Sequence, residues 1–356
     1  MSQIPNNGML KRSKTAILQF MKNSGMFALA RAKSRAGIRI LCYHGVWRGA
    51  DAFAGDSMFM LGRTFESRLA LLRRLNFNVI SLDQAASALR GGSPLPSDCV
   101  VITIDDGWYS TFADMLPALK HHGMHATVYC DTNNLMSGLP VPHVMAQYLR
   151  QIYAASAELP PDAKVAFSRA NDLAADHETR YSAALEFARK LAIEISPYLT
   201  RRVFAYMTQD EIMQASRDGF AIELHAHTHS LGDFSFGKIA EEISVNRQVL
   251  GNLLKVPPEN FRHFCYPSGK VIPSAADALR RLGIISATTL KSGIAHRGND
   301  LFFLPRIVDG DHLSELGFEA ELCGVGDFLR TARASLARFF PSHSDGGAKL
   351  YSHSGS

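Results

Sequence analysis

The sequence lacks the features that would place it among membrane-spanning or disulfide-stabilised proteins. No uninterrupted apolar run approaches the roughly 18–20 residues that a helix needs to span a bilayer. Cysteine is scarce, and its five copies show neither a C-x-x-C pair nor a regular framework: Cys42, Cys99, Cys130, Cys265 and Cys323. An odd, scattered set of this kind favours a reducing compartment. A clean signal peptide is also missing, because the apolar run at 16–21 is short and interrupted, so we expect a cytoplasmic protein.

Acidic side chains are absent from the first 50 residues, although the whole chain is only weakly basic. Lysine and arginine number 38 against 33 aspartates and glutamates, which gives a net charge of +5. Nine of these cations lie within residues 1–50, so residues 51–356 carry a net charge of −4. With 46% hydrophobic and 20% charged residues, the composition is that of a globular protein. We expect no nucleic-acid binding, because the mildly acidic body has no stripe of basic and aromatic residues.

Short β-branched runs alternate with helical patterns over most of the chain, which indicates an α/β protein with a parallel sheet. Helices are predicted between the strands, for example at 82–89 and after a capping box at 208–211. Residues 133–207 predict helices without a strand, and therefore a helical insertion. Seven or eight strand–helix units favour a barrel-like (β/α) arrangement, with strands predicted at 38–43, 77–81, 99–104, 126–130, 220–224, 261–266, 284–288 and 302–307.

Two aspartates and a glycine directly follow the buried strand at 99–104. In parallel-sheet proteins the active site lies at the C-terminal ends of the strands. Adjacent carboxylates point in different directions, so one of Asp105 and Asp106 can bind a metal while the other acts as a base. Gly107 allows the sharp backbone turn that follows the strand. The alternative interpretation is a loop with two solvated aspartates.

Three histidines lie within five residues after the strand at 220–224, namely His225, His227 and His229. In a continuing strand, His225 and His229 would be about 13 Å apart, too far to share one ion. In a helical turn they would share one face about 6 Å apart, within reach of a common metal. A solvated polar loop is again the alternative interpretation.

Together the two motifs predict metal-assisted hydrolysis of an amide or ester. Asp106, His225 and His229 would supply three ligands and leave coordination positions open for water and substrate, as catalytic sites do. The metal would lower the pKa of a bound water and polarise the carbonyl group under attack. Asp105 would then accept the proton of that water as general base.

These motifs resemble those of the polysaccharide deacetylases of carbohydrate esterase family four. The pattern Thr103-Ile-Asp-Asp-Gly107 with His225-x-x-x-His229 is similar to the paired metal motifs of that family. The resemblance implies a distorted (β/α) barrel of about seven parallel strands that removes N- or O-acetyl groups from glycans. It covers about residues 38–310, because three further segments match in order: Leu41-Cys-Tyr-His44, Phe264-Cys-Tyr-Pro-Ser-Gly269 and Leu304-Pro-Arg-Ile307.

The resemblance also implies a divalent metal, for which Zn²⁺ is favoured over Co²⁺, Ni²⁺, Mn²⁺ and Fe²⁺. Asp105 carries over as the base, and Asp106, His225 and His229 carry over as the metal ligands. In domain terms, a basic helical segment (1–37) precedes the catalytic domain (38–312), and a C-terminal helical segment with a flexible tail (313–356) follows it.

The sequence departs from the family pattern at several positions. Ile104 replaces a phenylalanine and Ala226 replaces a hydroxyl residue, while the arginine before the tyrosine–proline loop and the L-x-H histidine of the last strand are missing. Arg306, at the end of that strand, is therefore predicted to orient Asp105 or to grip the substrate. His44 is the first candidate for the general acid, with His227 and His312 in reserve.

Other residues beyond the predicted strand ends are candidates for substrate binding. Trp108 and Tyr109 either stack on sugar rings or pack at the rim of the site. Tyr266 is predicted to contact the substrate, and the backbone N–H of Ser268 is a candidate oxyanion donor after the Pro267 turn.

The leading hypothesis is a metal-dependent hydrolase that removes N-acetyl groups from a polysaccharide or a lipid-linked saccharide. The alternatives are an amidase or deformylase acting on another small acyl amide, and a catalytically impaired relative that binds glycans. Basic amphipathic segments at 11–35 and 325–356 have two interpretations. They either pack on the barrel or hold its acidic body peripherally against an anionic membrane, at the inner face.

Overall fold

The computed structural model describes residues 7–49, 58–153, 158–172 and 174–330. The strands in these ranges are short, and most of them are buried. They are β1 Ile38–Tyr43, β2 Gly45–Val46, β3 Phe59–Met60, β4 Asn78–Val79, β5 Cys99–Ile104, β6 Thr127–Cys130, β7 Ala221–Leu224, β8 His263–Cys265, β9 Ser286–Thr288 and β10 Ile307–Val308.

Eight of these strands form one parallel sheet, in the order β10-β1-β5-β6-β7-β8-β9, with β4 also paired to β5. β2 and β3 form a separate two-stranded sheet. A parallel bridge between Thr288 and Leu304 connects β9 to the segment that leads into β10. The sheet therefore curls round on itself, and this confirms the predicted distorted (β/α) barrel.

Helices surround the sheet and extend the chain at its N-terminal end. A π-helical turn at Thr111–Met115 precedes α5, and 3-10 turns lie at Pro258–Asn260, Pro267–Gly269 and Leu301–Phe303. The α-helices are α1 Asn7–Asn23, α2 Met26–Ser34, α3 Gly62–Arg74, α4 Leu82–Leu89, α5 Leu116–His122, α6 Thr132–Ser137, α7 Pro142–Ile152, α8 Pro161–Ala170, α9 His177–Lys190, α10 Ser196–Thr200, α11 Gln209–Arg217, α12 Phe236–Leu254, α13 Pro273–Arg281 and α14 Glu315–Leu322.

Most predicted elements agree with the structure, but the last strand differs. β5 and α4 have the predicted bounds, and Thr208 and Glu211 form the predicted capping box. The single strand predicted at 302–307 is instead a 3-10 turn followed by the two-residue strand β10. Pro305 interrupts the run because proline has no N–H to donate to a neighbouring strand.

The two faces of the barrel strands bury different residues, because side chains alternate along a strand. In β1, Leu41 packs outward against the helices, whereas Ile40 belongs to the cluster inside the barrel. Leu82 and Leu89 of α4 join that interior cluster. α4 therefore closes the N-terminal end of the barrel, and the C-terminal strand ends are left for polar groups.

Helices α6 to α10 lie in the predicted helical insertion, and the insertion has an apolar core of its own. Met145, Ala163 and Phe187, from three of its helices, are fully buried in this second cluster. Trp108, which follows the two aspartates of the predicted site, belongs to the same cluster. The insertion therefore packs against the barrel mouth beside those aspartates.

The basic N-terminal segment packs against the last part of the chain. Met21 and Phe27 share a buried cluster with Cys323, which follows α14. Of the C-terminal segment, residues 325–330 are helical, and the predicted tail beyond them lies outside the described residues. Across the described ranges, no helix combines the length and apolarity required to cross a membrane.

Four of the nine N-terminal cations bind carboxylate or carbonyl oxygens of the described residues. Their partners are carboxylates in three cases and a backbone carbonyl group in the fourth. The contacts are Lys22–Glu319 at 2.6 Å, Arg31–Asp98 at 3.1 Å, Arg48–Asp114 at 2.6 Å and Arg39 to the Leu322 carbonyl oxygen at 2.8 Å.

Candidate active site

The two adjacent aspartates stand at the C-terminal end of β5, where the backbone turns sharply. Asp106 and Gly107 have positive φ angles of 74° and 87°, in the left-handed region that favours glycine. Asp105 and Asp106 are both buried, yet their carboxylates have different partners. This arrangement gives each carboxylate a separate chemical role.

Asp106 faces the two histidines that the sequence predicted as its partners. Its Oδ1 lies 3.2 Å from His225 Nε2 and 3.4 Å from His229 Nε2. His225 Nδ1 donates to the Cys265 carbonyl oxygen at 2.8 Å, which leaves the Nε2 lone pair free to bind a metal. The three donor atoms lie within 4.8 Å of one another, and such a set of N and O ligands fits a divalent ion.

The electrostatics at Asp106 also fit a cation. Burial would raise the pKa of Asp106, but its close contacts with His225 and His229 lower that pKa well below its usual range. Asp131 lies close enough for its charge to interact with those of Asp106, His225 and His229. Burial raises the pKa of Asp131 to about 6. Its Oδ2 is buried without a hydrogen-bond partner in the described part of the chain. A bound cation would compensate the negative charge of the two buried carboxylates, Asp106 and Asp131.

The histidine motif is neither a continuing strand nor the helical turn weighed against it. Ala226 and His229 have positive φ angles of 64° and 56°, so the motif is an irregular loop. The loop nevertheless brings the rings of His225 and His229 together, with 4.8 Å between their centroids. His227 turns aside, and its Nδ1 lies 2.8 Å from Thr132 Oγ1.

Two buried polar side chains of α12, neither of them predicted as a site residue, hold this loop. Glu242 accepts hydrogen bonds from the backbone N and the hydroxyl group of Thr228, at 2.8 and 2.9 Å. Asn246 Oδ1 accepts from the backbone N of His225 at 3.0 Å. The sequence does contain a signal for these two residues. They are polar, lie four positions apart and share a helix face with apolar residues, and polar groups on such a face require buried partners.

Arg306 contacts Asp105, the first of the two roles predicted for it. Nη1 and Nη2 donate to Oδ1 and Oδ2, each at 2.7 Å, and Nε donates to the Thr289 carbonyl oxygen at 2.9 Å. The thiols of Cys42 and Cys265 also donate to Asp105 Oδ2, at 3.6 and 3.3 Å. Burial would raise the pKa of Asp105, but the charge of Arg306 and its hydrogen bonds lower that pKa to about 2. Arg306 is fully buried and holds both oxygens of the Asp105 carboxylate.

Of the candidates for the general acid, His44 is the one placed beside Asp105. Its Nε2 lies 3.9 Å from Asp105 Oδ2. Its Nδ1 is buried and has no hydrogen-bond partner among the residues that the structure describes. His312 is exposed on the surface. The proton-donor role of His44 stays a prediction.

The two aromatic candidates differ in exposure. Trp108 is 1% exposed, and its Nε1 donates to Asp106 Oδ2 at 2.9 Å, so this ring belongs to the rim packing that was the alternative interpretation. Tyr109 is half-buried and lies under the guanidinium groups of Arg48 and Arg202, at 5.0 and 3.7 Å from its centroid. Stacking of Tyr109 on a sugar ring stays a prediction.

The tyrosine–proline loop is placed differently from its prediction as well. Tyr266 is 1% exposed and packs edge-on against Phe264 at 5.4 Å, so its ring belongs to the core and does not contact a substrate. Ser268 is exposed, with a positive φ of 54°. Its backbone N–H stays a candidate oxyanion donor.

The chain resembles known proteins in its sequence. The sequence model of the family described as polysaccharide deacetylase matches residues 92–159 and 160–287. The poly-beta-1,6-N-acetyl-D-glucosamine N-deacetylase of Escherichia coli (strain K12) is 24% identical over 288 residues, which cover 78% of this chain and 38% of that protein. The chain thus spans well under half the length of this curated relative.

Two solved structures share the fold. The Streptococcus pyogenes deacetylase PplD, solved in complex with acetate, has 18% identity and a TM-score of 0.56, over 81% of this chain and 99% of that one. IcaB from Ammonifex degensii has 17% identity and a TM-score of 0.54, over 81% of this chain and 97% of that one. At these identities the likeness concerns the fold alone.

Proposed function

Because the chain belongs to the polysaccharide deacetylase family, we propose that it is a metal-dependent hydrolase that removes N-acetyl groups from a glycan. One observation carries the proposal, namely the different partners of two neighbouring buried carboxylates. Asp106 faces two histidine nitrogens, whereas Asp105 is paired with Arg306. This combination provides a site for a divalent ion beside an ionised base.

A divalent ion held by Asp106, His225 and His229 would supply Lewis acidity, which acidifies a water and polarises the acetyl carbonyl. Asp105 accepts the proton of the attacking water, and Arg306 keeps that carboxylate ionised and oriented. The amide C–N bond breaks, and the departing nitrogen takes a proton to become an amine. His44 is the candidate donor of that proton. The products are acetate and the free amino sugar.

We propose as substrate a glycan that contains an N-acetylated amino sugar, either in a polymer or linked to a lipid. The printed name of the Escherichia coli relative makes oligomers of β-1,6-linked N-acetylglucosamine the first substrate to test. Zn²⁺ is the first metal to test, because two imidazole nitrogens and a carboxylate oxygen suit it.

Acetate release combined with metal analysis tests the proposal. The wild-type protein should bind about one divalent ion per chain and release acetate from the oligomer. Chelation should abolish release, and added Zn²⁺ should restore it. Asp105→Asn should retain the metal and lose turnover, whereas Asp106→Asn should lose the metal. Formate release from an N-formyl sugar without acetate release would favour the deformylase alternative. Glycan binding without any release would favour an impaired relative.

We also propose that the ends of the chain contact an anionic membrane surface, at the inner face of the membrane, where a lipid-linked substrate would be met. All five cysteines are unpaired and buried, which supports the expected reducing compartment. The proposal is supported by a set of exposed apolar side chains near both ends, here called the terminal patch: Ile17, Phe20, Leu29, Phe328 and Leu329.

A further inference from the structure

The helical insertion contains an arginine whose charge has no carboxylate partner within ion-pair distance in the described ranges. Arg180, on α9, is half-buried. Its Nε donates to the Ala170 carbonyl oxygen at 3.4 Å, and its Nη2 donates to His143 Nδ1 at 3.3 Å. The nearest acidic influence on it is the charge of Asp172. The His143 ring is the one side chain to which Arg180 donates a hydrogen bond among the described residues.

The contact with Arg180 determines which nitrogen of His143 carries the proton. A guanidinium group only donates hydrogen bonds, so Nδ1 must present its lone pair and the proton must lie on Nε2. Burial and the charge of Arg180 lower the pKa of His143 to about 4, so the ring is neutral at physiological pH. Nε2 is absent from the set of buried polar atoms that lack a hydrogen-bond partner, and no described residue accepts its proton. It is therefore a fixed and uncommitted donor that solvent can reach.

His143 lies near enough to the candidate metal site for the charges of that site to reach its ring. It stands in the first turn of α7, and Val141, just before that helix, donates its backbone N–H to the Phe204 carbonyl oxygen at 2.7 Å. Two residues after Phe204, the same stretch forms an antiparallel bridge with Trp108, which in turn donates to Asp106. The charges of Asp106 and of one ligand histidine act on the His143 ring. The insertion thus carries this donor to the edge of the site.

We propose that His143 is a substrate-binding residue that donates a hydrogen bond from Nε2 to an oxygen of the acetylated sugar, and that Arg180 is the positioning residue that fixes this donor. The inference rests on the proposed function, because the acceptor belongs to its substrate. An N-acetylated sugar offers hydroxyl and carbonyl oxygens as acceptors. A neutral donor held in one orientation binds them with little ordering cost. The insertion thereby takes part in selecting the substrate.

The test measures glycan binding by calorimetry in the Asp105→Asn protein, which binds substrate without turning it over. Adding His143→Phe should weaken binding of a β-1,6-linked N-acetylglucosamine oligomer about tenfold, the loss expected for one good hydrogen bond. His143→Gln keeps an N–H donor and should recover part of that affinity. Arg180→Met should weaken binding several-fold. Arg189→Gln changes an exposed arginine of the same helix and should have no effect.

Turnover in the otherwise unchanged protein gives the second readout. His143→Phe should raise KM about tenfold and change kcat much less. Equal binding by the His143→Phe and parent proteins, with acetate release intact in the wild type, would overturn the inference and leave the proposed function standing. A fall in kcat at unchanged KM would also overturn it, because the residue would then act in the chemical step. If the wild type neither binds the glycan nor releases acetate, the proposed function fails and the inference fails with it.

Discussion

At the residue scale, Arg306 is the charged partner of Asp105 and binds both of its carboxylate oxygens. Asp105 is 2% exposed and Arg306 is fully buried, and each carboxylate oxygen receives one guanidinium N–H. Removing the arginine altogether would leave an uncompensated buried carboxylate, at a cost of about 3–5 kcal/mol in comparable pairs. Lysine in its place keeps the charge but cannot reproduce the paired geometry. Arg306→Lys therefore separates orientation from charge.

We predict that Arg306→Lys lowers kcat on the order of 100-fold while the protein keeps its bound metal, because small displacements of a catalytic group have effects of this size. Initial rates of acetate release and elemental analysis of the same sample measure the two quantities. Arg68→Lys is the matched control, because Arg68 is equally buried and pairs with Asp309 at 3.0 Å. It should lose stability without this loss of kcat. Unaltered turnover in Arg306→Lys would contradict the positioning role.

At the element scale, α12 holds the histidine loop of the candidate metal site. Glu242 and Asn246 lie one helical turn apart, both are buried, and both bind backbone N–H groups of that loop. The loop has two residues with positive φ, so its shape depends on such external contacts. The helix thus helps to set the distance between the two ligand histidines.

We predict that Glu242→Ala weakens metal binding about 10–100-fold, the range seen when outer-shell partners of ligands are removed. Competition with a fluorescent chelator measures the dissociation constant. Glu241→Ala is the control, because Glu241 is the neighbouring residue on the exposed side of α12. Equal metal affinity in the two variants would contradict the role of α12.

A further buried carboxylate, that of Glu223 on β7, lies near α4 of the barrel. Its Oε2 accepts the backbone N–H of His263 at 3.0 Å, and the His263 side chain contacts Ser286 and Asp83 at 2.7 and 3.1 Å. Burial raises the pKa of Glu223 from its ordinary value of 4.5 to about 8. In the unfolded chain the proton is lost at lower pH. The stabilisation from neutral Glu223 is therefore complete below about pH 4.5 and is lost as the pH rises to about 8.

We predict that Glu223→Gln raises the free energy of unfolding at alkaline pH by on the order of 2 kcal/mol, because glutamine keeps an acceptor and has no ionisation cost. The gain should shrink toward zero at acidic pH. Urea unfolding at several pH values measures it. Glu259→Gln, an exposed change, should show no such pH dependence. A gain of the same size at every pH would contradict the assignment of the effect to ionisation.

Elements with local signals could be predicted from the sequence. β5 is a run of β-branched residues that ends at an aspartate, and the capping box at Thr208 is a contiguous pattern. The left-handed turn at Ala226 could not be predicted, because alanine, unlike glycine, rarely adopts a positive φ angle. The burial of Trp108 could not be predicted either. It results from packing against the helical insertion, which is distant in sequence and leaves no local pattern around Trp108.

At the scale of the whole molecule, the charge asymmetry has a different meaning once the fold is known. Nine cations precede the first acid in the chain, but four of them bind carboxylates or carbonyl groups of the folded protein. The inner faces of α1 and α2 pack on the segment around α14. Lys33 remains close to the terminal patch, with its Nζ 5.4 Å from the ring centroid of Phe328. Packing and membrane contact are thus compatible, because they use different faces.

We predict that the protein binds vesicles containing phosphatidylserine about tenfold more strongly than vesicles of phosphatidylcholine alone, since each free cation near the surface contributes about 1 kcal/mol. Replacing Ile17 and Phe20 together by serine should reduce binding to both kinds of vesicle about tenfold, because these side chains are 58% and 72% exposed and would enter the interface. Co-sedimentation across a range of lipid concentrations measures both effects.

Val165→Ser is the matched control for the terminal patch, because Val165 is 60% exposed and lies on α8 in the helical insertion. Val165→Ser should leave vesicle binding unchanged if only the terminal patch enters the membrane. Equal effects of the two substitutions would mean that exposed apolar area in general causes adsorption. Binding indifferent to phosphatidylserine would mean that the free cations, such as Lys33, do not face the lipid. Either result would contradict the membrane proposal. The basic N-terminal segment would then have a structural role only, in which its cations bind α1 and α2 to the rest of the protein.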